Sequence, residues 1–121
     1  MDFIAVYKCL CDRQRLRILN LLRDGPLCVC HLMEILELEQ VKVSKQLRYM
    51  KELGLVEAER AAQWMSYRLA EDHNPLLEAN LACLQDSLGE ETGFREDLAR
   101  RKAVMERVRN EGPACLNAVN D

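Results

Sequence analysis

The sequence predicts a mainly α-helical domain with one small β-hairpin, and three observations predict it. Apolar residues recur at helical spacing through four short segments between residues 3 and 53. The period switches to alternation after Gly54 and returns to helical after Pro75. Glycine (5 residues), proline (3 residues) and aromatics (5%) are scarce, which argues against a turn-rich β-sandwich. A chain of 121 residues with 49% hydrophobic and 31% charged residues is an ordinary folded composition with room for one domain. Its core is thin, so burial of further surface in an oligomer is expected.

Each element has its own signal. Residues 3–10 make a short helix with a sticky face of Phe3, Ile4, Val6, Tyr7 and Leu10. Asp12 suits the cap of a second helix, in which Leu16, Leu19 and Leu22 recur, and Gly25-Pro26 ends it. Leu27 to Leu36 reads as a third helix with Val29, Leu32, Met33 and Leu36 in one stripe. Glu37-Leu38-Glu39 leads into a fourth, from about Gln40 to Leu53, with Val43, Leu47 and Met50 inward and Gly54 as its C-terminal cap. The third and fourth helices together form a helix-turn-helix. Leu55–Arg60 and Trp64–Leu69 alternate as two strands about a tip at 61–63, with Met65, Tyr67 and Leu69 on one face. Pro75 then opens a helix whose Leu77, Leu81, Leu84 and Leu88 are spaced as a coiled-coil seam needing a partner, widened by Leu76 and Cys83. A charged helix follows from Glu90 to Asn110. Its stripe of Phe94, Leu98, Met105 and Val108 is sparse, so it is expected to be loosely docked or mobile. Gly112-Pro113 releases a tail with Cys115.

A net charge of −3 excludes a uniformly basic coat for nucleic acid but not a local basic face. Between Val41 and Leu69, six basic residues (Lys42, Lys45, Arg48, Lys51, Arg60, Arg68) stand against three acidic ones (Glu52, Glu57, Glu59). On the fourth helix, Lys42, Ser44, Lys45, Gln46, Arg48 and Tyr49 lie off the apolar stripe. Lysine and arginine reach guanine or phosphate, glutamine pairs with adenine, and serine binds phosphate near a helix start. Arg60 and Gln63 at the hairpin tip are placed to touch the neighbouring groove or backbone. These residues are the candidate contacts to double-stranded operator DNA. A dimer would set two reading helices about one duplex turn apart.

No leader pattern and no run of about 20 apolar residues occurs, so a cytoplasmic protein without a membrane partner is expected. In that compartment the six cysteines (Cys9, Cys11, Cys28, Cys30, Cys83, Cys115) point to metal binding, redox sensing or packing rather than a disulfide framework. Cys28-Val29-Cys30 begins the expected third helix. Residues two apart on a helix diverge by about 200°, so both thiols could hold one ion only by bending that turn. Such bending would disturb the reading helix. Thiolates select soft ions over Mg²⁺ or Ca²⁺.

The runs Leu27-Cys28-Val29-Cys30-His31-Leu32, Val43-Ser44-Lys45-Gln46-Leu47, Leu53-Gly54-Leu55-Val56 and Trp64-Met65-Ser66-Tyr67-Arg68-Leu69 occur in that order. With Leu10 to Leu19 before them, they resemble the ArsR/SmtB family over about residues 3–88. The resemblance implies a winged helix-turn-helix, homodimeric through the first helix and the helix after the wing. Residues 1–89 would form the DNA-binding and dimerisation domain, and 90–121 a charged helix and tail. It implies a repressor of a metalloid-resistance operon that lets go when As(III) or Sb(III), acting as inducer, binds Cys28 and Cys30. Met33 stands where arsenic sensors of the family carry a third cysteine. Cys115 is the first choice for the third thiolate, followed by an exogenous thiol. Family geometry would put Cys9 and Cys11 at the dimer interface and Cys83 in packing near the seam. The cadmium/lead branch carries extra cysteines in a long extension before the first helix, which this chain does not match. The family's zinc sites are not matched either, because no second histidine follows His73, and His31 is expected at the surface or a helix start rather than as a ligand.

Two alternatives stand beside this reading. One is a repressor of the same fold that senses oxidants, reactive sulfur, or Cd(II) and Pb(II). The other, a thiol enzyme, needs an activated nucleophile in a βαβ setting or a Cys-x-x-Cys pair, and neither occurs. No enzymatic activity is expected.

Overall fold

A computed structural model describes residues 2–61, 64–71, 75–88 and 92–111. Asp2 caps α1 (Phe3–Leu10) by accepting from the backbone N–H groups of Ile4 and Ala5. Asp12 does the same for Arg15 at the start of α2 (Arg13–Leu22). Ile18 to Leu22 are all buried, so α2 is the central helix, covered on every side. Gly25 then turns the chain at φ +131°, and the Arg101 guanidinium lies 3.2 Å from where a Cβ would stand. Only glycine fits both demands.

The sequence expectation fails at the next element. Leu27 and Cys28 are not helical; they form a short strand, β1 (Leu27–Cys28), and α3 (Val29–Leu36) begins only after them. β1 pairs antiparallel with Tyr67 and Ser66, a long-range partner that local periodicity cannot report. α3 ends on Glu37 in the left-handed conformation (φ 56°), with Leu38 N–H donating to Met33 O. α4 (Gln40–Glu52) buries Val43, Leu47 and Met50 as expected. Gly54 closes it at φ 77°, with Leu55 N–H returning to Met50 O. β2 (Val56–Ala61) and β3 (Trp64–Leu69) complete a three-stranded sheet of order β1-β3-β2. The hairpin lies on the helices through Tyr67 and Leu69.

Two leucines of the seam expected after the hairpin are already covered within this chain. In α5 (Pro75–Leu88), Leu77 and Leu81 are fully buried in the domain's own core, and Leu84 packs at its edge. α5 is tied to α2 by Arg23–Glu78 at 2.9 Å and by Gln85 donating to buried Asn20 at 2.9 Å, while the side chain of Leu88 lies outside the described ones. Exposed apolar surface sits on α1, where Phe3, Ile4 and Tyr7 are 60%, 53% and 44% exposed. No helix among the described residues is long and apolar enough to cross a membrane.

α6 (Thr92–Glu111) is not loosely held. Phe94 and Val104 are buried. Asp97, 1% exposed, receives two hydrogen bonds from Arg17 at 2.8 Å each. Arg100 donates to Ile35 O and Arg101 to Leu21 O, satisfying carbonyls at the C-terminal ends of α3 and α2. Arg107 forks onto Glu34 at 2.6 and 2.7 Å. A sparse apolar stripe is thus supplemented by arginines, a device invisible to hydrophobic periodicity. Asp97→Ala, which strands a partly buried guanidinium, should lower unfolding stability by about 2–4 kcal/mol in urea titrations. Glu34→Gln, at an exposed pair, should move the midpoint far less.

Candidate thiol site and nucleic-acid interface

The strand-to-helix change places the two thiols. Cys28 is extended (φ −82°, ψ 161°) and occupies the N-cap position of α3, while Cys30 lies in the first turn. Their sulfurs converge to 2.9 Å. The expected divergence of about 200° applies only when both residues are helical, and Cys28 is not. An ion therefore needs no bent helix to meet both thiols, and the bending mechanism falls. Cys28 is buried, whereas Cys30 is half-buried and opens onto a cleft of about 530 Å³ that also exposes His31, Met33 and Glu34.

His31 is the residue that sequence reasoning undervalued. It is 6% exposed, and one of its ring nitrogens lies with the two sulfurs in a set of donors all within 4.8 Å of one another. Among the described residues this is the one such group of three. Burial holds the imidazole below its ordinary pKa, with Glu34 opposing and Arg107 and Arg101 assisting. The signal available in the sequence was its adjacency to Cys30; the strand at Cys28 that brings all three together was not. Cys9 is buried in the core, and burial pushes its thiol pKa up against the influence of Arg15. Cys11 and Cys83 are exposed on this chain. Cys115 and His73 lie outside the described residues.

α4 presents Lys42, Lys45, Arg48 and Tyr49 to solvent, with Ser44 half-buried, and Arg60 is exposed near the end of β2. Gln63 lies outside the described residues. Gln46 departs from the expectation of a free base-reading group. Its amide donates to Asp12 and Gln14 and accepts from Arg15 at 3.2 Å, which ties α4 to the start of α2. Arg15 also stacks 4.4 Å from the Tyr49 ring centroid. Arg68 is paired with Glu57 and Glu59 and drops out of the basic stripe. Val41 was missed. It is 75% exposed in the first turn of α4, a suitable apolar contact for a thymine methyl, and it escaped notice because it is neither basic nor in the core stripe.

Residues 12–58 match the sequence family described as bacterial regulatory protein, arsR family. The chain is 46% identical over 65 residues to the arsenic resistance transcriptional regulator ArsR1 of Pseudomonas putida, covering 53% of this chain and 51% of that one. It therefore spans about half the length of that relative. It is 36% identical over 86 residues to the arsenical resistance operon repressor of Bacillus subtilis, covering 69% of this chain and 82% of that one. The homodimeric winged helix-turn-helix DNA-binding domain of Mb0332 from Mycobacterium bovis, a possible ArsR-family transcriptional regulator, superposes with a TM-score of 0.60 at 29% identity, over 74% of this chain and 80% of that one. The first two of these proteins are named as a transcriptional regulator and an operon repressor. By its motifs, its helix-turn-helix and hairpin, and its similarity over most of the Bacillus subtilis protein, the chain belongs to the ArsR family of winged helix-turn-helix regulatory proteins.

Proposed function

We propose that this chain is a homodimeric transcriptional repressor that occupies operator DNA and is released when As(III) or Sb(III) binds the thiolates of Cys28 and Cys30. One observation carries the reading. The 2.9 Å thiol pair spans the joint between β1, which is hydrogen-bonded to the hairpin strand β3, and α3, the first helix of the reading unit. An ion held there fixes the hairpin relative to α3 and α4, and release follows from a change in that angle rather than from a bent helix. The inducer class comes from the names of the two relatives, both arsenic-resistance regulators. A third thiolate is assigned to Cys115, with an exogenous thiol as substitute. Dimerisation draws on the exposed apolar face of α1 and on the homodimeric Mycobacterium bovis domain. DNA is held by Lys42, Ser44, Lys45, Arg48, Tyr49 and Arg60, with Gln63 at the hairpin tip and Gln46 orienting α4.

The same sulfur spacing favours a second reading, in which the pair is a redox sensor. Two thiols would give up two protons and two electrons to hydrogen peroxide, forming a disulfide and two waters. Release by As(III) under reducing conditions separates the first reading from release by peroxide alone. Titration with Cd(II) and Pb(II) checks the remaining inducers.

Cys28→Ser and Cys30→Ser should each retain DNA binding yet lose the As(III) response, which in the unaltered chain should be a fall in affinity of about 5–150-fold by fluorescence anisotropy. A variant that still responds normally removes the pair from the mechanism. Lys45→Ala should weaken binding to a duplex selected from a random pool without changing base preference. It should also reduce the slope of log affinity against log salt by about 0.9, measured across a salt series.

A further inference from the structure

We propose that His31 joins Cys28 and Cys30 as the third donor of a site, contained within one subunit, for a divalent ion of the Zn(II)/Cd(II) class. The proposal rests on the preceding reading only in taking the thiol pair as an ion site; it does not depend on DNA release. The three donor atoms lie within 4.8 Å of one another, and two of the three residues are buried. Around a four-coordinate ion with metal–sulfur bonds of about 2.3 Å, two sulfurs stand about 3.8 Å apart, so the pair opens from 2.9 Å to take the ion. Two thiolates and one imidazole form the donor set that suits Zn(II) and its heavier relative.

The surroundings fit the same ion. Cys30 and His31 line an open cleft, which gives an ion a way in and leaves a fourth position for water or an added ligand. Glu34 lines that cleft too and is held by both terminal nitrogens of Arg107, so a carboxylate stands ordered beside the site. Met33 offers only a thioether, so no further thiolate is supplied from α3 itself. The two ion classes then divide by their third donor: arsenic draws on a third thiolate, the divalent ion on the imidazole.

The test uses the reduced chain of 121 residues. The chain has 2 histidines, so ¹⁵N-histidine NMR with ¹¹³Cd(II) reads the ligand directly. One ring nitrogen of His31 should shift and show coupling to cadmium, while His73 should not. In competition titrations with a chromophoric chelator, His31→Gln should lower Zn(II) affinity at least about tenfold while leaving As(III) affinity within about twofold. An uncoupled His31 in the cadmium-loaded chain overturns the proposal even where As(III) still releases DNA, as does a folded His31→Gln variant with undiminished Zn(II) affinity. The NMR result stands whether or not that variant folds. If Cys28→Ser and Cys30→Ser bind Zn(II) and As(III) as the unaltered chain does, the thiol pair itself is no ion site, and the preceding reading fails with this one.

Discussion

The change from extended to helical backbone at Cys28 is the constraint on which the remaining arrangement depends. Pairing of Leu27 and Cys28 with Tyr67 and Ser66 keeps Cys28 out of the helix, and that alone lets two sulfurs two residues apart converge. The same pairing makes β1 the edge of the hairpin sheet and fixes where α3 starts. Cys28 stands at the N-cap position of α3, so negative charge gathered on the sulfurs would face the positive end of that helix. Chemistry at this joint and placement of the helix-turn-helix are therefore one structural fact.

A second layer of organisation comes from charged groups set around a thin core. α2 is covered by α1, α5, α6 and β3, yet much of the attachment of α5 and α6 is polar: Arg23 to Glu78, Gln85 to Asn20, Arg17 to Asp97, Arg101 to Leu21 O. The buried Asp97 pair matters more than the exposed ones, because removing one partner leaves a charge that water reaches poorly. No buried side-chain nitrogen or oxygen among the described residues lacks a hydrogen-bond partner. The small hydrophobic interior is thus extended by polar bonds that are all satisfied.

What was legible in the sequence was whatever local chemistry decides. Asp12, Gly25, Gly54 and the Val43/Leu47/Met50 stripe announced helix ends and an inward face, and each does so in the structure. Long-range pairing was hidden. Leu27 and Cys28 continue a helical apolar pattern, and only their partners on β3 turn them into a strand. Leu77 and Leu81 were expected in a seam between copies and are covered within the chain, because spacing does not name the surface that covers it. His31 and Gln46 failed for a related reason: their roles lie with residues brought near by folding rather than with sequence neighbours alone.

Arg15 has a reach that bears on how DNA half-sites could be measured. One guanidinium touches the last carbonyls of α1 at Lys8 and Cys9, the amide of Gln46 and the ring of Tyr49. The helix with the uncovered phenylalanine, isoleucine and tyrosine is thereby indexed to the helix that carries Lys42, Lys45 and Arg48. Any two copies joined through that uncovered surface would hold their basic helices at a separation set by a rigid ruler, intolerant of inserted base pairs, rather than by a pliable arm.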